Sequence, residues 1–81
     1  MHELGIANSV IEAVRKEAER RPGARVTRVG MCIGECAGVD RESLTFCFEA
    51  LVKDTELASA VLDIESGARD ELDLRYLELE E

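Results

Sequence analysis

The sequence predicts an α/β two-layer sandwich of the α+β type: two helices packed on one face of a three-stranded sheet, in the order α-β-α-β-β. Apolar residues recur at helical spacing near the start and again after Asp40, and three other stretches alternate apolar with polar residues. At 81 residues the chain reads as one domain, 1–81. A domain of this size buries roughly 60% of the surface its unfolded form exposes, so its core is modest.

Leu4, Ala7, Ile11, Val14 and Ala18 recur at three- and four-residue steps, and Ile6, Val10 and Ala13 widen the stripe. Glu3 and Glu12 toward the start and Arg15, Lys16, Arg20 and Arg21 toward the end suit the helix dipole, and Pro22-Gly23 stops the helix. Arg25 to Glu35 alternates Val29, Met31 and Ile33 with Arg28, Gly30 and Cys32, a strand with one face on the core; Gly34 marks a bulge or a close backbone approach. Asp40 is placed to cap a second helix ending near Lys53. Leu44, Cys47, Phe48 and Leu51 form its buried face, broadened by Phe46 and Ala50. Ala60 to Glu65 is a short strand. Leu72, Leu74 and Tyr76 begin a third strand, in which Leu77 and Leu79 shift the apolar phase and call for a bulge near Tyr76. The connection Ser66 to Asp70 is short enough for an antiparallel hairpin, and the strand order is left open.

Hydrophobic residues at 46% and charged residues at 35% describe a globular chain, and no apolar run approaches the ~20 residues of a membrane helix. The first helix is charged along its length, unlike a signal peptide, which predicts a cytoplasmic protein without membrane association. A net charge of −8, with ten basic residues scattered among eighteen acidic ones, argues against nucleic acid and for basic or cationic partners. An odd set of cysteines, Cys32, Cys36 and Cys47, predicts reduced thiols. Cys32 and Cys36 in extended chain would lie about 13 Å apart, beyond the ~7 Å reach of a disulfide. No nucleophile triad or phosphate loop is present, so no enzymatic activity is expected.

The chemistry concentrates at Met1-His2-Glu3. A free α-amine, the deprotonated amide nitrogen of His2 and its imidazole form fused chelate rings that suit square-planar Ni(II) or Cu(II). His2 is the one histidine of the chain, and its bulk is expected to keep Met1 in place. Binding requires deprotonation of an imidazole of pKa about 6.5 and an amine of about 7.7 to 8.0. An ordinary solvated terminus is the simpler alternative.

Met1-His2-Glu3-Leu4, Ile6-Ala7, the run Arg25 to Val29, Ile33-Gly34-Glu35, Gly38-Val39-Asp40, Leu44, Phe46, Phe48 and Glu49 together resemble the HypA/HybF family of nickel metallochaperones in [NiFe]-hydrogenase maturation. The resemblance runs from Met1 to about Ile64 and from about Glu71 to Glu80. It implies Ni(II) at the N-terminus, held by Met1, His2 and Glu3, with Asp40 beside the site, more as support for His2 than as a direct ligand. It also implies the GTPase HypB and the hydrogenase large-subunit precursor as partners. The family's zinc-binding insertion of two CxxC pairs is replaced here by the short turn at 66–70, so no structural zinc is expected. The leading reading is therefore a nickel-binding accessory protein. An alternative of another class is a metal-free docking module that has lost metal handling, working through the first helix or an exposed sheet edge, where a homodimer could also form. A thiol sensor at Cys32 and Cys36 ranks third, because no basic residues cluster beside them to lower a thiol pKa.

Overall fold

The computed structural model describes residues 2–81, so Met1 lies outside the described residues. Its elements are α1 (Glu3–Ala18), β1 (Arg25–Gly34), α2 (Arg41–Val52), β2 (Val61–Gly67) and β3 (Leu72–Glu80). This is the expected order and class. Among the described residues no helix is long and apolar enough to cross a membrane.

Each helix buries a narrower face than its composition suggests. On α1 the buried stripe is Ala7, Val10, Ile11 and Val14, whereas Leu4 is exposed. The first turn of α1 is held against the loop before α2, so the stripe begins one turn late. The helix also ends at Ala18, short of Pro22-Gly23, as turns at Glu17 to Ala24 take over the hydrogen bonding. On α2 the buried residues are Leu44, Phe48 and Val52, a strict four-residue step. Phe46 and Ala50 do not widen this face, since at about 100° per residue they lie on the far side of the helix, and both are exposed. Leu57, in the turn segment after α2, joins the core instead; the Thr55 hydroxyl accepts from its N–H at 3.1 Å.

The strand order is β2-β1-β3, with β1 parallel to β2 and antiparallel to β3. The expected hairpin is therefore not formed. The 68–71 connection instead carries the chain across the end of β1 from one edge of the sheet to the other. Gly34 makes that crossing possible: a Cβ there would lie 2.2 Å from the Arg69 carbonyl oxygen and 2.7 Å from that of Ala68. The crossover is fixed by Gly34 N–H to Glu71 O at 2.8 Å and Cys36 N–H to Arg69 O at 2.7 Å. The close backbone approach expected at Gly34 is thus this crossing.

Two bulges reset the side-chain phase. The β1–β3 register shifts between Val26 and Arg28 and between Gly30 and Met31, leaving Thr27 and Arg75 as the extra residues. Val26 and Val29 are three residues apart, as are Leu74 and Leu77, and each pair reaches the core side only because of the intervening bulge. The second bulge lies where the shift of phase predicts it. It turns Tyr76 to the face opposite the helices, where its ring covers Gly30; a Cβ there would lie 2.0 Å from the ring. The Tyr76 hydroxyl donates to Asp63 Oδ2 at 2.7 Å, so one side chain ties β3 to β2 across the central strand.

Two predictions follow from this packing. Gly34→Ala, which forces two backbone segments apart, lowers stability by about 3 kcal/mol, whereas Gly5→Ala, in helix with open space around it, raises stability by about 0.5 kcal/mol in urea unfolding. The Asp63 carboxylate beside it pushes the Tyr76 hydroxyl up to about 12. A phenol raised above its unfolded value favours folding fully below about pH 10, and that contribution is lost as pH rises through about 12. Tyr76 is the only tyrosine, so ultraviolet titration reports it directly: ionisation occurs near 12 and moves back toward 10 in Asp63→Asn.

Candidate functional site

The first turns of the two helices meet. His2 is the N-cap of α1, with extended backbone (φ −88, ψ 104) and no capping bond from its imidazole. Its carbonyl accepts the first helical bond, from Ile6 N–H at 3.1 Å. The amide nitrogens of His2 and Glu3 therefore precede the hydrogen-bond ladder. Losing the His2 amide proton to a metal breaks no helical bond. The imidazole is exposed, so His2 can supply both an amide and a ring nitrogen from one residue.

Glu3 reaches from α1 to the start of α2. Its Oε2 accepts the Asp40 N–H at 2.9 Å. Asp40 in turn caps α2, its Oδ1 accepting the Ser43 N–H at 3.1 Å while its carbonyl accepts from Leu44 at 2.9 Å. The structure thus brings Glu3 and Asp40 together across 37 positions of sequence, and the capping role read for Asp40 is present. Two helix N-termini carry partial positive charge at this place, and the two carboxylates offset it. The Asp40 N–H and Glu3's own amide hold the Glu3 carboxyl below the usual glutamate value.

Among the described residues no three His, Cys, Asp or Glu side chains form a cluster able to hold a metal. The site is no preassembled cage of side chains.

Arg41 was not singled out in sequence. Its Nη2 donates to the Ile33 carbonyl at 3.1 Å and to Ser66 Oγ at 3.3 Å, which anchors the first turn of α2 on the ends of β1 and β2 and so fixes Asp40. The available signal was its position: a cation in a first helical turn opposes the helix dipole, so a tertiary partner has to hold it. The three cysteines are free thiols, as expected. Cys36 is exposed, but Cys32 is buried, its sulfur packed on Gly67. Arg75, displaced by the β3 bulge, donates to Glu71 Oε2 at 2.7 Å and comes near Cys32, and its guanidinium pKa is raised. Burial shields the Cys32 thiol from solvent.

A family model described as "Hydrogenase/urease nickel incorporation, metallochaperone, hypA" matches residues 1–70. The hydrogenase maturation factor HypA of Pelodictyon phaeoclathratiforme is 43% identical over 65 residues, covering 80% of this chain and 56% of that protein. HypA of Chlorobium limicola is 45% identical over 68 residues, 84% of this chain and 59% of the relative. The solution structure of the Ni metallochaperone HypA from Helicobacter pylori superimposes with a TM-score of 0.74 at 26% identity, over 83% of this chain and 58% of that one. The chain spans a little over half the length of the relatives it matches.

The geometry sets a measurable expectation. Asp40→Ala costs about 1 kcal/mol by removing a helix cap, and hydrogen exchange at the Ser43 amide quickens. Glu3, depressed below 4.5, contributes its bond to Asp40 fully above that value and loses it as pH falls through its lowered pKa. The Asp40 amide resonance in nuclear magnetic resonance spectra accordingly follows a titration whose midpoint lies below 4.5.

Proposed function

The chain belongs to the HypA family of nickel metallochaperones, and on that footing we propose that it binds Ni(II) at its N-terminus and passes the ion on during maturation of [NiFe]-hydrogenase. Proteins of this family carry metal and do not turn over a substrate, so nickel here is cargo. The proposed ligand set is the Met1 amine, when free, with the amide nitrogen and imidazole of His2 and the backbone or carboxylate of Glu3. Asp40 acts by orienting this end rather than by touching the metal. Met1 lies outside the described residues, and its part rests on coordination chemistry.

The observation that supports this reading is the place of His2. At the N-cap its amide is outside the helical ladder, its imidazole is exposed and makes no capping bond, and the neighbouring carboxylates offset the charge of a dication. The square-planar preference of Ni(II) for nitrogen donors completes the argument. We further propose that the connection at 66–70 stands in place of a zinc-binding insertion. It is drawn tightly over Gly34 by backbone bonds, which supports a closed crossover without a lobe of its own. The partners proposed with this function are HypB and the hydrogenase large-subunit precursor, in the cytoplasm, with the acidic surface meeting basic patches on either.

Ni(II) titration near neutral pH decides the site. The native chain binds one ion, and His2→Gln or acetylation of the N-terminal amine weakens binding by at least about 100-fold, because each removes a donor from the chelate. Circular dichroism in the visible range should show the d–d bands of a square-planar nitrogen site only in the native form. Equal binding by all three proteins would refute the N-terminal site, and no binding by the native form would instead support the metal-free docking module.

A further inference from the structure

Among the described residues the exposed large apolar side chains are Leu4, Phe46 and Val61, and the last two lie beside one sheet edge. β2 pairs with β1 on one side and, among the described residues, with no strand on the other. Its register with β1 is unbroken from Val61 to Gly67, and the strand contains no proline, no lysine and no bulge, the usual defences of an open edge. The opposite edge, β3, is kinked by its bulge at Arg75. A groove of about 430 Å³ runs along β2 under α2, with Phe46, Leu62 and Ile64 in its wall and Arg41, Glu42 and Glu49 around it.

Charge selects what could lie there. Glu42 and Glu49 stand on the groove side, and Asp63 and Glu65 project from the other face of β2. The one cation in the groove wall, Arg41, is held by Ile33 O and Ser66 Oγ. A second copy is a poor occupant, because antiparallel pairing of two β2 edges sets Asp63 and Glu65 against themselves and joins two chains of net charge −8.

We propose that the free edge of β2 is a docking edge for an extended segment of a partner protein in which apolar residues alternate with lysine or arginine. Such a segment continues the sheet through main-chain hydrogen bonds. Because strand side chains alternate between faces, its apolar residues enter the groove of Phe46, Leu62 and Ile64 while its basic residues meet the exposed Glu65, Asp63 being engaged by Tyr76. The surface uses none of the proposed nickel ligands Met1, His2 and Glu3, so it stands independently of nickel binding. Its one end, at Arg41 and Glu42, directly follows Asp40, which would bring the docked segment beside that site.

The test uses the isotope-labelled full chain at about 0.15 M salt, with a capped synthetic octapeptide alternating valine and lysine, and one alternating valine and glutamate as control. Binding of the lysine peptide is expected to shift the amide resonances of residues 61–67 and slow their hydrogen exchange, and the glutamate peptide to do neither. Phe46→Ser and Glu65→Lys, both at exposed positions, are each expected to weaken binding at least about fivefold with little change in melting temperature. The proposal is overturned if the two peptides bind equally, if the shifts fall elsewhere, or if both substitutions leave affinity unchanged. Protection of the β2 amides by self-association without peptide would overturn it in favour of a dimer.

Discussion

β1 is covered on both faces, and the rest of the molecule is arranged to allow it. From Val29 to Gly34 every residue is buried. Under the helices the large side chains of Val29, Met31 and Ile33 fill the core with Phe48, Leu44 and Val14, and burial of each such side chain is worth about 1.5 to 3 kcal/mol. The other face has no helix layer, yet it is closed by the Tyr76 ring over Gly30, by Gly67 over Cys32 and by the crossover over Gly34. Small residues at alternate positions are what let a ring and a second backbone lie directly on a strand.

The same constraint accounts for both bulges. A strand that keeps a strict alternation cannot place Val26 and Val29 on one face, nor Leu74 and Leu77. Inserting Thr27 and Arg75 reconciles the two halves of each strand with a single core. Ion pairs along this outer side, such as Arg25 with Glu80 and Arg28 with Glu78, are exposed and add little beyond fixing the register.

The N-terminal site depends on this frame at one remove. Arg41 fastens the start of α2 to the ends of β1 and β2, Asp40 caps that helix, and the Asp40 amide receives Glu3 from α1. Each bond is modest, but in series they hold His2 at the mouth of two helices. A dication at this place would ordinarily be opposed by both helix dipoles, and the pair of carboxylates counters that opposition. The proposed metal chemistry at His2 would draw on the tertiary contact between Glu3 and Asp40.

Much of this was legible in the sequence because it is local. Helical and alternating periods, the cap at Asp40, the phase shift near Tyr76 and the close approach at Gly34 are each set by residues within a few positions of one another. What only the tertiary structure decided is non-local. The length of 66–70 suited a hairpin, but the parallel pairing of β2 with β1 sent that segment across the sheet. Phe46 looked like core by composition, yet lies on the wrong side of a helix whose orientation is set by Leu44, Phe48 and Val52. Arg75 came to Cys32, Arg41 to Ser66 and Glu3 to Asp40 across separations that no period encodes, because each meeting depends on the order of the strands around β1.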